Sequence, residues 1–178
     1  MGARGTLASL AISALALTVP FVALADELDT DASASFATPV GILSAAPMAF
    51  GEVVRPNIGQ CTYDMNPDSN ITATGGDDCA VIAGVQLAAE FTLGCEANSL
   101  LRLTLLIDDL APNGASFAAG SQPFTIDGAG AGADTMLAPC DADGTSIVLA
   151  GGQLTVTDTA PAAFSGTVGT ITLEAVYE

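Results

Sequence analysis

The stretch that most restricts the fold is Thr167 to Tyr177, TVGTITLEAVY. Val168, Thr170, Thr172, Glu174 and Val176 fall on one side of a two-residue period. Thr167, Ile171, Leu173, Ala175 and Tyr177 fall on the other, with Gly169 in their register. Successive side chains of an extended chain point to opposite faces, so this β-branched alternation predicts a strand buried on one face. Such a strand needs partners for its backbone groups and cover for its apolar face. The stretch therefore predicts a sheet, completed either by this chain or at an edge that another chain grips.

The segment NSLLRLTLLIDDL repeats the pattern. Leu101, Leu103, Leu105 and Ile107 lie on one side; Leu100, Arg102, Thr104 and Leu106 lie on the other. A helix capped by Asn98 or Ser99 competes with this reading, but the alternation favours a strand. The first half of GVQLAAEFTLGC is similarly ambiguous. Turn-forming clusters (NPDSN, TGGDD, APNGAS, DGAGAGAD, DADG, AGG, TAPAA) separate short β-rich runs. Strands are predicted at Ser35–Leu43, Met48–Val54, Gln60–Met65, Cys79–Ala83, Ala88–Leu93, Ser99–Ile107, Ser121–Asp127, Ser146–Ala150, Gln153–Thr157 and Thr167–Tyr177. This rhythm predicts one all-β domain, an antiparallel sandwich of about 8–10 strands, over residues 35–178. DGAGAGAD reads as a mobile loop. It is no phosphate loop, because the chain contains no lysine.

Residues 1–25 read as a cleaved signal peptide: Arg4, an apolar run, and a small-residue end at Ala23-Leu24-Ala25. Residues 26–34, starting DELDTDASA, read as a flexible acidic leader. No second stretch is long and apolar enough to span a bilayer. The mature chain is therefore expected to be secreted, periplasmic or at the cell surface.

The formal charge is −17, from 20 acidic residues and three arginines, with no histidine. Such a chain is repelled by nucleic acid and by anionic membranes. The acidity fits either a salty habitat or cation binding. Cys61, Cys79, Cys95 and Cys140 are an even set in an exported chain and imply two disulfides rather than a zinc site. Four cysteines allow three pairings. The expected set is Cys61–Cys79, stapling a hairpin across NPDSNITATGGDD, with Cys95–Cys140.

Chemistry is scarce. Without histidine or lysine, neither a Ser-His-Asp nor a Ser-Lys arrangement can be built. Carboxylate pairs remain at Asp77-Asp78, Asp108-Asp109 and Asp141-x-Asp143, all beside turns. DGTS at Asp143 matches half of an aspartic-protease motif, and the second copy is missing. Asp141 and Asp143, with Gly144, resemble the start of a calcium loop but lack its later ligands. Asn70-Ile71-Thr72 is a formal glycosylation sequon. The expectation is a protein that is not an enzyme, has no cofactor, and carries no metal beyond the weak Asp141 and Asp143 candidates. Glycan stacking is poorly served by Tyr63 and Tyr177 with no tryptophan.

Several blocks in order carry a resemblance: PVGILSAAPMAFGEVV, AAEFTLGC, LLRLTLL, IVLAGGQLTV and GTITLEAVY. They resemble the exported bacterial domains of domain-of-unknown-function family 4402, from about Phe36 to Tyr177. The family in turn is similar to chaperone–usher pilins and spore-coat U-like domains, with EFTLGC and Tyr177 as the likeness. The resemblance implies a pilin-like or Ig-like sandwich with a structural or adhesive surface role. Two alternatives stand beside it: a pilus-like subunit assembled by strand donation, which the pilin likeness implies, or a calcium- or glycan-binding module. Partners would be other copies or other surface proteins. The pilin likeness offers Cys61–Cys95 as a rival pairing. The leader lacks alternating large apolar residues and makes a poor donor strand, so a self-contained sandwich is expected. Its core should hold Leu173 and Tyr177 on one face of the last strand, with Phe50 and Phe91 in the same core and Val168 and Val176 on the opposite face.

Overall fold

The computed structural model describes residues 38–131 and 133–178. The chain divides into two units, Met1–Ser35 and Phe36–Glu178. The first unit, with the expected signal peptide and leader, lies outside the described residues, as does the start of the expected strand at Ser35.

The second unit is all-β and antiparallel. Its strands are β1 (Gly41–Ala46), β2 (Glu52–Val53), β3 (Gln60–Met65), β4 (Ile71–Gly75), β5 (Val81–Ala83), β6 (Ala89–Gly94) and β7 (Leu100–Asp109). Then follow β8 (Ala115–Ala118), β9 (Phe124–Ile126), β10 (Ala129–Ala131), β11 (Thr135–Pro139), β12 (Thr145–Ala150), β13 (Gly152–Thr157) and β14 (Gly169–Tyr177). They form a five-stranded sheet β1-β6-β12-β9-β10, a three-stranded sheet β11-β7-β14, a four-stranded sheet β4-β3-β13-β8 and the pair β2-β5.

The two long alternating segments pair with each other. β14 runs antiparallel to β7 in unbroken register from Gly169↔Asp109 to Tyr177↔Leu101. Leu101, Leu103, Leu105 and Leu173 are buried, while Leu100, Arg102, Leu106, Thr172, Glu174 and Val176 face out. The period-two pattern is thus a real partition between core and solvent.

This three-stranded sheet backs two cores. In the first it faces the five-stranded sheet, and Leu101, Leu103, Leu105 and Leu173 meet Phe91, Leu93, Phe124, Ile126 and Val148. In the second, the four-stranded sheet contributes Tyr63, Met65, Phe117, Leu154 and Val156, and Ile107, Val168 and Ile171 pack on them. Two expectations are corrected here. Phe50 belongs to the second core, edge-on to Phe117 with centroids 6.1 Å apart, and not to the core of Phe91 and Leu173. Val168 precedes β14 and packs inward on that second core; only Val176 faces out.

AGG at Ala150–Gly152 is a bend and not a reversing turn. β12 pairs with β9 and β13 pairs with β8 in the same sense, so the chain leaves one sheet and enters the next at Gly151. A side chain there would strike the Met65 and Gln122 carbonyls, so only glycine lets the strand cross so close. Gly169 plays a similar part where β14 begins, with the Phe117 ring where a Cβ would stand.

The structure also has strands outside the expected set. ITATG forms β4, hairpinned to β3. ASFA forms β8, and TMLAP forms β11. Part of DGAGAGAD forms β10, turned back on β9 at Asp127-Gly128, both at positive φ. Conversely, the expected strand Met48–Val54 shrinks to β2. Gly51, at φ 72, breaks the extended run, and Ala49 makes a lone bridge to Leu87.

Cys61 is bonded to Cys79, and Cys95 to Cys140. Cys95 follows β6 and Cys140 follows β11, so the second bond ties the five-stranded sheet to the three-stranded one. At the same end Tyr177 Oη accepts from the Glu96 amide at 2.7 Å and donates to the Thr38 carbonyl at 2.5 Å. Removing only this hydroxyl, in Tyr177→Phe, should cost about 1 kcal/mol, because exposed hydrogen bonds contribute modestly. Thermal melts check it: a fall of a few degrees is expected, with the fold retained.

Candidate functional site

A cleft of about 1250 Å³ opens between two sheet edges. One wall is the end of β1 and the segment Pro47–Val53. The other is the segment Ala160–Val168 and the first residues of β14. Ala89 and Phe91 of β6 and Phe117, Leu154 and Val156 of the second core also line it. The walls are irregular for local reasons: Pro47 and Gly51 on one side, and TAPAAFSG on the other, resist regular pairing. Phe164 stands exposed on the lining and Val85 on the facing loop.

Glu52 and Arg55 are the ionisable residues of the lining. Arg55 is committed: its Nη1 donates to the carbonyls of Asp158 and Ala160, each at 2.7 Å. It clamps the start of one wall to the base of the other. Sequence reasoning passed over Arg55 and Phe164, because neither sits in a periodic run. Their signal is only that one is a rare cation and the other a lone aromatic among turn residues.

Tyr63 is fully buried in the second core and donates to the Val54 carbonyl at 2.6 Å. Burial pushes its phenol up from the ordinary value, and backbone hydrogen bonds at Ala80 and Val54 act in the opposite direction. It therefore stays a neutral donor across ordinary pH.

The carboxylates singled out from the sequence lie on the surface. Asp77, Asp78, Asp108, Asp109, Asp141 and Asp143 are all exposed. Several serve their own turns. Asp109 accepts from the Ala111 amide, Asp141 from the Ala142 amide and Asp143 from the Thr145 amide. Such local bonds are what aspartate provides in turns. Among the described residues no group of three or more His, Cys, Asp or Glu forms that could hold a metal ion. Asn70 is exposed on the β3–β4 turn, bonded to Asn66.

Fold and cleft together define a disulfide-bonded, all-β antiparallel domain with an apolar opening between sheet edges. The chain belongs to the family described as domain of unknown function DUF4402, whose model matches residues 40–177. No curated protein and no solved structure matches it. Two disulfides point to an oxidising, extracytoplasmic environment. Among the described residues, no helix is long and apolar enough to cross a membrane.

Proposed function

We propose that this chain is an exported, non-catalytic β-sandwich protein with a structural or adhesive role at the cell surface or beyond it. The observation that carries the reading is the pair of disulfides bracing a domain whose opening is apolar. The cleft offers contact area, and its one cation is spent on backbone carbonyls. A structural role needs stability and a surface, and both are built here. The signal-peptide pattern at residues 1–25 supports export. A second reading, a subunit joined to its neighbours by strand addition, is favoured by β14, whose outer edge pairs with no other strand among the described residues.

The test is loss of function in the cell. A strain lacking the chain should lose surface attachment or cell–cell cohesion, restored by the exported form and not by one lacking residues 1–25. If the loss instead affects only turnover of an extracellular substrate, the non-catalytic reading is wrong.

The surface charge carries its own prediction. Among the described residues Arg102–Glu178 is the one ion pair, against a chain charge of −17. Self-repulsion opposes folding and is screened by salt. Melting temperature should therefore rise between low and physiological ionic strength, read by calorimetry. A flat or falling trend would mean that the repulsion is not felt.

A further inference from the structure

We propose that the outer edge of β14 is a docking edge for a cationic extended segment of another protein, which adds a strand to the three-stranded sheet. This names a partner for the module proposed above and rests on that reading.

The hydrogen-bond pattern shows which groups are available. The Leu110 amide donates to the Val168 carbonyl and the Glu178 amide to the Leu100 carbonyl, each at 3.0 Å. With the unbroken register, the even-numbered residues of β14 are the ones bonded to β7. The N–H and C=O groups of Gly169, Ile171, Leu173 and Ala175 therefore point away from it, and no described strand pairs there.

The other edge strands among the described residues are shorter than β14: β8 has four residues, and β2 and β5 have two and three. β10 has three residues, β11 ends in Pro139, β4 ends in Gly75 and β1 carries a register break after Ile42. Proteins guard edges with short strands, proline and bulges. β14 has nine residues, no proline and no bulge. Its first residues, Gly169 to Ile171, line the cleft, where Ala45, Ala46 and Ala89 leave room for side chains of an added strand.

Charge selects the occupant. Glu174 and Asp108 lie exposed on the outer face, Glu52 is exposed on the cleft lining, and Arg102 is taken by Glu178. A second copy of a chain at −17 brings like charge to this edge. A segment with apolar residues on its inner face and lysine or arginine on its outer face complements both surfaces.

The probe is a short peptide of alternating valine and lysine, with a valine–glutamate peptide as control, at physiological salt. Titration calorimetry and hydrogen exchange are measured on the mature chain. The valine–lysine peptide should slow exchange of the Ile171, Leu173 and Ala175 amides and bind about tenfold or more tighter than the control. Ala175→Pro removes an outward N–H, which an edge strand tolerates, and should weaken binding by about tenfold or more while the fold persists. Glu174→Arg leaves the ladder intact and should weaken the cationic peptide severalfold, which keeps the test decisive if the proline variant does not fold. Equal binding of the two peptides, or unchanged affinity in the Glu174 variant, overturns the proposal. So does protection of those amides without peptide, which would assign the edge to a second copy or to residues 26–37. None of these failures would bear on whether the chain is exported.

Discussion

A chain that stops at Ile171 is expected to show no cooperative unfolding transition. Removing TLEAVYE takes away Leu173 and Tyr177 from the first core and strips β7 of its partner from Leu100 to Leu106. Burial of one large apolar side chain contributes about 1.5–3 kcal/mol, and a domain has only about 5–15 kcal/mol in total. Leu101, Leu103 and Leu105, now buried, would lose cover, and the even-numbered backbone groups of β7 would lose their bonds. The three-stranded sheet backs both cores, so the damage reaches Ile107 and the second core as well. Circular dichroism during heating and dispersion of amide resonances check this. A sharp melt from the truncated chain would show that the domain does not depend on β14.

The second large effect is expected at Cys95–Cys140. The bond spans 45 residues and joins the ends of β6 and β11, in different sheets. In the chain-entropy model, opening a loop of that length costs about 4 kcal/mol, against about 3 kcal/mol for the 18-residue span of Cys61–Cys79. Cys95→Ala with Cys140→Ala should therefore bring the domain close to unfolding at growth temperatures. Cys61→Ala with Cys79→Ala should be milder, because that bond staples a β3–β4 hairpin already held by its ladder. Denaturant melts of the two double variants give the order. The reverse order would mean that the hairpin, and not the link between sheets, limits stability.

What could be read in advance followed from side-chain periodicity. β7 and β14 are long enough for alternation to show, and in β7 it decided against a competing helix; their buried faces are those the residues indicate. β3, β6, β12 and β13 were legible for the same reason. β10 was not, because glycine and alanine carry no apolar signal and the backbone alone makes that hairpin. β8 starts at the end of APNGAS, where turn residues run straight into a strand whose inward anchor is Phe117. Alternation says which residues turn inward but not which of two cores receives them, and so Phe50 was grouped wrongly with Phe91. The bend at Gly151 reads locally as a turn, and only long-range pairing shows the strand crossing between sheets. The cleft was illegible because both walls are aperiodic, and its geometry depends on Arg55 reaching residues more than a hundred positions away.

The most direct measurement is non-reducing intact mass, with amino-terminal mapping, of the natural protein recovered from the cell exterior. The expected result is a chain beginning at Asp26, without Arg4, with both disulfides closed and no free thiol. A cytoplasmic chain that retains Arg4 and carries four reactive thiols would contradict an exported, disulfide-braced surface domain.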